Sequence, residues 1–459
     1  MRRFLPSFTF FYARGSHMKP MIEEWAGGTA TWLEGQKFST LLLLIYALSL
    51  VLSLLVGYGF SYRSAVKTLD YDEWEYWQLS TSLLNGAFDD PGRRTLGYPA
   101  VLAALRLVGD SIHFIQPAVT AIAATAPPLL AFALLRIGAS RLAAVMAGIA
   151  LAFWPPHLFL AASLYSEAIA LPVLLLLLAY LPKGARAGKA SFALWLACGV
   201  LLGLLAHIRT MYQLFLPVVL VILLFEGVPW KRAVAGWLTV VAGFLLTVLP
   251  WSVYVSGKIG APVLLTANGG ETLAGGLTPE LYKLEGSQPL QLENRTSWTG
   301  PGKWVQAAET GYLSPAETKL PYAEQDRLLR ERVVQWIAAN PGDAAYLTMR
   351  KLAYQWGIYP FAEQGMLQIV AGNLPILALV ILTLASLALQ PASRAIGARL
   401  YLVPLFVIGI AIISWGSWRF RHPADAAMLG IVAVALAAWL QQRAQRMNRS
   451  SLSIAAPHA

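Results

Sequence analysis

The sequence has a single cysteine among its 459 residues, Cys198, and it falls inside an apolar run. That excludes an internal disulfide and a cysteine-based metal cluster, and leaves the redox compartment open. Charge is scarce too: Asp, Glu, Lys and Arg make up 13% of the chain, with 24 carboxylates in all. The 35 Lys and Arg residues give a net charge of +11, but they are dispersed between apolar runs and form no basic face. This argues against nucleic acid as a partner and for a positive-inside bias and contact with anionic lipid. The pairs Gly269-Gly270 and Gly275-Gly276 are not followed by Lys-Ser/Thr, so neither is a nucleotide-phosphate loop.

What the sequence has in abundance is apolar length. It is 57% hydrophobic with a mean hydropathy of +0.56, and uncharged runs repeatedly approach the roughly 20 residues that a bilayer-spanning helix needs. The fold class expected is an all-α polytopic membrane protein of about ten transmembrane helices, at 38–60, 112–135, 142–162, 164–182, 190–207, 210–226, 233–255, 366–390, 400–418 and 423–442. If the spans alternate, Arg136, Arg141, Lys183 to Lys189, Lys231, Arg232, Arg394, Arg399, Arg443, Arg446 and Arg449 share one side, which the positive-inside tendency makes cytoplasmic. The expected divisions are an N-terminal cytoplasmic tail at 1–37, a transmembrane half at 38–255 with a first extracytoplasmic loop at 61–111, an extracytoplasmic subdomain at 256–365, C-terminal transmembrane helices at 366–442 and a cytoplasmic tail at 443–459. Within the first loop, 97–108 is too short to span and carries Arg106, so it is expected to lie along the interface. In the subdomain, Leu328, Leu329, Val333, Val334 and Ile337 recur at helical spacing from Tyr322 to Asn340, and Pro341-Gly342 is expected to stop that helix.

The polar residues on the outer side stand out against this background. Leu69-Asp70-Tyr71-Asp72-Glu73-Trp74-Glu75-Tyr76 gathers four carboxylates. Asp72 heads a helical spacing that runs through Tyr76, Ser80, Leu83 and Gly86; acids capping a helix in a wet loop explain this without any chemistry. Glu167, near the start of a span, is costly unless paired or wetted, although a helix N-terminus also favours an acid. Arg209, Arg419 and Arg421 fall in short outer loops where the positive-inside tendency disfavours them. Either phosphate binding or snorkelling to headgroups accounts for them. His157 and His422 are the histidines best placed on that face. No ligand spacing argues for a metal.

Two stretches of this set resemble a known family. Asp72, Tyr76, Ser80, Leu83 and Gly86, followed by Arg93-Arg94-Thr95-Leu96-Gly97-Tyr98-Pro99, resemble the first extracytoplasmic loop of the C-type integral membrane glycosyltransferases. More narrowly they resemble the branch of the protein O-mannosyltransferases and the lipid A aminoarabinose transferase. Gly203 to Arg209 is similar to the family's Gly-rich span ending in Arg, and Arg419-Phe420-Arg421-His422-Pro423 to its Arg-Tyr-x-x-Pro segment. Ser80 stands where relatives often carry Ala, and Phe420 where they carry Tyr. The resemblance implies transfer of a sugar, with inversion, from a polyprenyl-phosphate donor to an extracytoplasmic glycan, lipid or protein. It implies Asp72 as general base, with Glu73 its nearest substitute and Glu167 as a second acid. Arg419, Arg421, Arg209, Arg93 and Arg94 would hold the donor phosphate, and Tyr76, Tyr98, His157 and His422 would contact substrate, with Gly269-Gly270 and Gly275-Gly276 in a flexible acceptor-side loop. No cofactor is required, although a divalent metal is compatible with the chemistry. The expected location is a bacterial inner membrane with the site facing the periplasm. A non-catalytic transporter or flippase, and a ligase or polymerase of lipid-linked glycans, are the competing readings.

Overall fold

The computed structural model describes residues 32–88, 92–182, 191–277, 313–357, 373–395, 397–414 and 416–454. Nearly all of the expected tail 1–37, the basic connection Lys183 to Lys189, the end of the tail 443–459 and two parts of 256–372 lie outside those residues. Among the described residues there is no strand. The helices are α1 (Phe38–Val56), α2 (Tyr71–Leu84), α3 (Gly97–Arg106), α4 (Ile112–Ala123), α5 (Ala126–Arg136), α6 (Arg141–Ala152), α7 (Pro155–Ala161), α8 (Glu167–Tyr180) and α9 (Phe192–Ile208). They continue as α10 (Phe215–Phe225), α11 (Trp230–Ile259), α12 (Gly269–Ala274), α13 (Tyr322–Ala339), α14 (Pro341–Gln355), α15 (Leu374–Leu389), α16 (Pro391–Ala395), α17 (Ala398–Ile413) and α18 (His422–Ile454).

Among the described residues, four helical stretches are long and apolar enough to cross a membrane: Phe38–Ser61, Ile112–Arg136, Trp230–Ile259 and Trp418–Arg446. The pair α6 and α7 makes a fifth if its 63° bend is counted within one span. That bend has a sequence cause. Pro155 and Pro156 open α7, where missing N–H groups cost nothing, but they cannot continue the hydrogen-bond ladder of α6. Five further apolar helices, among them α8, α9, α15 and α17, are shorter, at 10–17 residues.

A close helix approach runs along α9 and α11. A Cβ on Gly199 would strike the Val240 carbonyl, one on Gly243 the Leu196 carbonyl, and one on Gly203 the Thr247 side chain at 2.6 Å. Small residues let the two backbones touch, the usual basis of helix pairing where lipid supplies no hydrophobic drive. The Gly-rich part of α9 is therefore a packing seam, and it fixes where the helix ends at His207 and Arg209.

One apolar core runs through the bundle. A second, smaller one joins α12, α13 and α14 around Ala274, Leu277, Leu313, Leu329, Val333 and Leu347. The helix expected from Tyr322 to Asn340 is α13, which ends at Ala339 just before Pro341-Gly342 as expected, and Pro341 begins α14 at the first-turn position that proline tolerates best. Gly270 and Gly276 are packed tightly against backbone, while Gly269 has open space around it. A Cβ on Gly270 would meet the Asp326 carbonyl, and one on Gly276 the Ser414 carbonyl at 2.6 Å. Helix α3 buries Tyr98, Pro99, Leu102 and Ala103 against the protein, while Leu107 and Val108 just beyond it are 78% exposed.

At the opposite end of α17 and α10 from the candidate site, Arg399 and Glu226 form an ion pair whose side chains are 1% and 0% exposed. Arg399 Nε donates to Glu226 Oε1 at 2.8 Å and Nη1 to the Leu181 carbonyl at 3.0 Å, which ties the ends of α8 and α10 to the start of α17. Removing one partner strands a buried charge, so Glu226→Ala should lower unfolding stability by about 3–5 kcal/mol. The double change Glu226→Leu with Arg399→Met should recover most of it, as read by thermal unfolding in detergent. Equal losses in the single and double variants would contradict the pairing.

Candidate active site

Four segments far apart in sequence meet where α2, α8 and α18 begin and α9 ends. Helix α2 starts after Asp70, whose backbone N–H donates to Glu73 Oε2 at 3.2 Å. Glu73 Oε1 accepts from the Leu164 N–H at 2.8 Å. Glu73, 4% exposed, thereby staples the start of α2 to the turn before α8. Its burial raises the carboxyl above the usual range against those backbone bonds.

Asp72 projects from the first turn of α2 into a row of alternating charges. Its Oδ1 accepts from Arg94 Nη2 at 2.8 Å and its Oδ2 from Arg419 Nη2 at 2.8 Å. Arg94 also gives Nε and Nη2 to Glu75 Oε2, at 2.8 and 2.6 Å. Arg419 reaches on to Glu167 Oε1 at 3.7 Å, while Glu167 Oε2 is paired with Arg209 Nη1 at 2.7 Å. The row reads Glu75, Arg94, Asp72, Arg419, Glu167, Arg209: three carboxylates against three guanidiniums. Asp72 keeps 21% of its side-chain exposure and Arg419 13%, so these are sheltered pairs, each worth roughly 4 kcal/mol before desolvation at the effective dielectric of about 20 that suits such sites. Burial on its own would raise the Asp72 carboxyl, but Arg94 and Arg419 outweigh it and hold the group well below the ordinary carboxylate range.

Aromatic rings set the positions of these cations. Arg419 lies over the Tyr165 ring at 4.2 Å and Arg209 over the Phe420 ring at 4.6 Å. Arg94 is 5.2 Å from the centre of the Tyr76 ring, which packs edge-on against Tyr98 at 4.7 Å. The Tyr76 hydroxyl donates to Ser166 Oγ at 3.3 Å, and Ser166 also receives Arg209 Nη1 at 3.1 Å. Thr95 donates to the His207 carbonyl, and Gly97 lies so close to the same peptide that a Cβ there would collide with it. The Arg93-Arg94 segment and the end of α9 are thus one rigid piece.

A narrow cleft opens beside this row, lined by Glu167, Arg209, Met211, Tyr212, Arg419 and His422 among others, and holds little more than a water molecule. Three of its polar atoms are buried and without a hydrogen-bond partner: Glu167 Oε1, Arg209 Nε and the Tyr212 hydroxyl. Unsatisfied buried polar atoms that converge on one cleft mark a place built for a polar ligand.

Not every residue singled out from sequence joins the row. Arg93 meets only the end of the row, at Glu75 3.6 Å away; its close bond is to Glu271 of α12 at 2.6 Å, and Glu271 is also held by the Tyr322 hydroxyl, so Arg93 ties the row to the smaller core. Arg421, 1% exposed, turns inward to Asp425 at 2.8 Å and to the Gln355 carbonyl. His157 and His422 face each other, Nδ1 to Nε2 at 3.1 Å, and only His422 reaches the cleft. Tyr98 is fully buried with its hydroxyl unpartnered. Glu75, Tyr165, Ser166 and Tyr212 were not singled out. Glu75 had a signal, because it sits three residues after Asp72 and so shares its helix face.

Between Asp72 and Glu167, where a divalent ion would bind both acids, stands the guanidinium of Arg419. No group of three or more His, Cys, Asp or Glu joins them among the described residues. The residues present do not fit a divalent metal.

No protein-family model matches the sequence, and no curated protein does. Solved structures do. The archaeal oligosaccharyltransferase of Archaeoglobus fulgidus in its apo form superposes with a TM-score of 0.55 at 15% identity, over 94% of this chain and 53% of that one. The same enzyme in complex with an inhibitory peptide and a dolichol-phosphate gives 0.52 at 15% identity, over 93% and 53%. The chain shares its fold with about half of that archaeal oligosaccharyltransferase. The chain spans about half the length of the archaeal enzyme. ArnT from Cupriavidus metallidurans, bound to undecaprenyl phosphate, aligns at 14% identity over 88% of this chain and 77% of that one, with a TM-score of 0.38. With four helices among the described residues long and apolar enough to cross a membrane, the chain is an integral membrane protein.

The ion pairs make a pH signature. A carboxyl held below its ordinary value contributes stability that is complete above the unfolded value, about 3.9, and is lost as pH falls through the folded one. The stability difference between the native chain and Asp72→Asn should therefore be constant from pH 8 to about pH 5 and shrink only on further acidification. A difference that already fades between pH 7 and 6 would show that Asp72 is not clamped this way.

Proposed function

We propose that the chain transfers a sugar from a polyprenyl-phosphate donor to an acceptor hydroxyl outside the cytoplasm, with Asp72 as the base. The observation that carries this is the bridge of Asp72 and Glu167 by Arg419 at the edge of a cleft with unsatisfied polar atoms. The shared fold supports the reaction class, and so does the neighbouring archaeal oligosaccharyltransferase, solved in complex with a dolichol-phosphate.

In this reading the four long helices, the bent pair and the five shorter apolar helices make ten crossings. A 16-residue helix rises about 24 Å against a hydrocarbon core of about 30 Å, so the shorter ones rely on flanking turns and local thinning. Arg399 is at one end of α17 and Arg419 follows the other, so if Arg394, Arg399, Arg443 and Arg446 mark the cytoplasmic side, the cleft opens on the other. In a bacterium that places the chain in the inner membrane with the site toward the periplasm. The loop 61–111 and the piece built on α12 to α14 then flank the cleft from outside. The reaction needs a base for the acceptor proton and cations for the departing phosphate; Asp72 supplies the first, and Arg419, Arg209 and Arg94 the second.

Purified Asp72→Asn should fold yet lose at least about 10²-fold in transfer, the lower range for removal of a general base. The assay is transfer of radiolabelled sugar from an undecaprenyl-phosphate donor pool to envelope acceptors, with the folded fraction read by size-exclusion chromatography. Full activity in that variant would remove Asp72 from its role.

A further inference from the structure

The row of charges is balanced before any substrate arrives: Glu75, Asp72 and Glu167 face Arg94, Arg419 and Arg209, and Arg93, which also reaches Glu75 at 3.6 Å, is matched by Glu271 at 2.6 Å. A phosphodiester entering the cleft adds a negative charge to a neutral set, so it must take a share of a cation already in use. The three cations are held differently. Arg94 is anchored from behind by two bonds to Glu75 and does not line the cleft. Arg209 is bound to Glu167 at 2.7 Å and Ser166 at 3.1 Å. Arg419 lines the cleft, has its close bond to Asp72 and only a 3.7 Å approach to Glu167, and lies over the Tyr165 ring 4.2 Å from its centre.

We propose that Arg419 is a shared counter-ion, drawn from Asp72 onto the donor phosphate when the donor binds, and that this hand-off turns Asp72 from a clamped anion into a working base. The proposal rests on the donor-phosphate reading above. The charges balance along the step. The acceptor oxygen forms its bond to the anomeric carbon, the bond from that carbon to the phosphate oxygen breaks, the electron pair stays with the phosphate, and the acceptor proton goes to Asp72. Asp72 passes from −1 to 0 as the lipid phosphate passes from −1 to −2, so the cation is needed at the phosphate when the carboxylate no longer needs it. The groups that face Asp72 are Arg94 from the segment before α3, Arg419 from the turn before α18, Arg209 from the end of α9 and Tyr165 from the turn before α8, with Glu75 on its own helix and Glu167 acting through Arg419. Loss of Arg419 from this set leaves Arg94 as its close cation.

The test follows the protonation of Asp72 in the full chain in lipid nanodiscs by infrared difference spectroscopy, with Asp72→Asn identifying the band. Farnesyl phosphate is the probe, farnesol the control for the lipid tail, and binding is measured separately by calorimetry. The expected result is that farnesyl phosphate, but not farnesol, makes Asp72 protonate at a pH about 1–3 higher, the effect of removing one close cation. In Arg419→Gln, Asp72 should already protonate at the higher pH and respond little to the probe; if that variant does not fold, the native chain alone decides. Binding of farnesyl phosphate without any change at Asp72 overturns the hand-off and leaves the donor site standing. No binding overturns both.

Discussion

The arrangement of the candidate site depends on one guanidinium. Arg419 bonds Asp72 at 2.8 Å and reaches Glu167 at 3.7 Å, and those two acids lie 95 residues apart in sequence, Asp72 in the first turn of α2 and Glu167 at the start of α8. Without a cation between them the two sheltered carboxylates would repel, each left with one close guanidinium, Arg94 for Asp72 and Arg209 for Glu167. With Arg419 in place both stay ionised, and α2, α8 and α18 are tied at their first turns. The same contact that orders the site also holds Asp72 inert, so structure and chemistry compete for one residue. That competition is resolved only when a second anion enters.

The scaffold makes such a site affordable in physical terms by using helix ends. Each charged group sits at a first turn, a last turn or a short connection, where unpaired backbone groups and residual water already lower the cost of polarity. Glycines bring the helices close enough for this: Gly199, Gly203 and Gly243 seat α9 on α11, and Gly97 seats α3 on the His207 peptide. The polar set is concentrated at one end of the bundle, whereas Arg399 and Glu226 form an inert lock at the other.

Much of the helical layout can be read from apolar periodicity. The run 38–60 lies on the helical stretch Phe38–Ser61, 112–135 on Ile112–Arg136, and the spacing headed by Asp72 falls on Tyr71–Leu84. These features are local, set by side-chain hydropathy within a few turns. The pairing of charges is not local. Arg419 and Asp72 are 347 residues apart, and Arg93 and Glu271 178, so no periodicity connects them. Hence Arg421 and Arg419, alike in sequence, part company: in the turn Trp418–Arg421 one guanidinium points to the cleft and the other into a buried pair with Asp425. Glu75 looks like a solvated acid until Arg94 is placed against it. Gly270 and Gly276 look flexible until the backbone carbonyls beside them are seen.

The most direct measurement is a cryo-electron microscopy structure of the full chain carrying Asp72→Asn, with a polyprenyl-phosphate sugar bound. The expected result is a phosphate in contact with Arg419 and Arg209 in the cleft, and the sugar's anomeric carbon facing residue 72. A donor bound with its phosphate elsewhere in the bundle, and Arg419 still bridging residue 72 and Glu167, would contradict the assignment of this cleft.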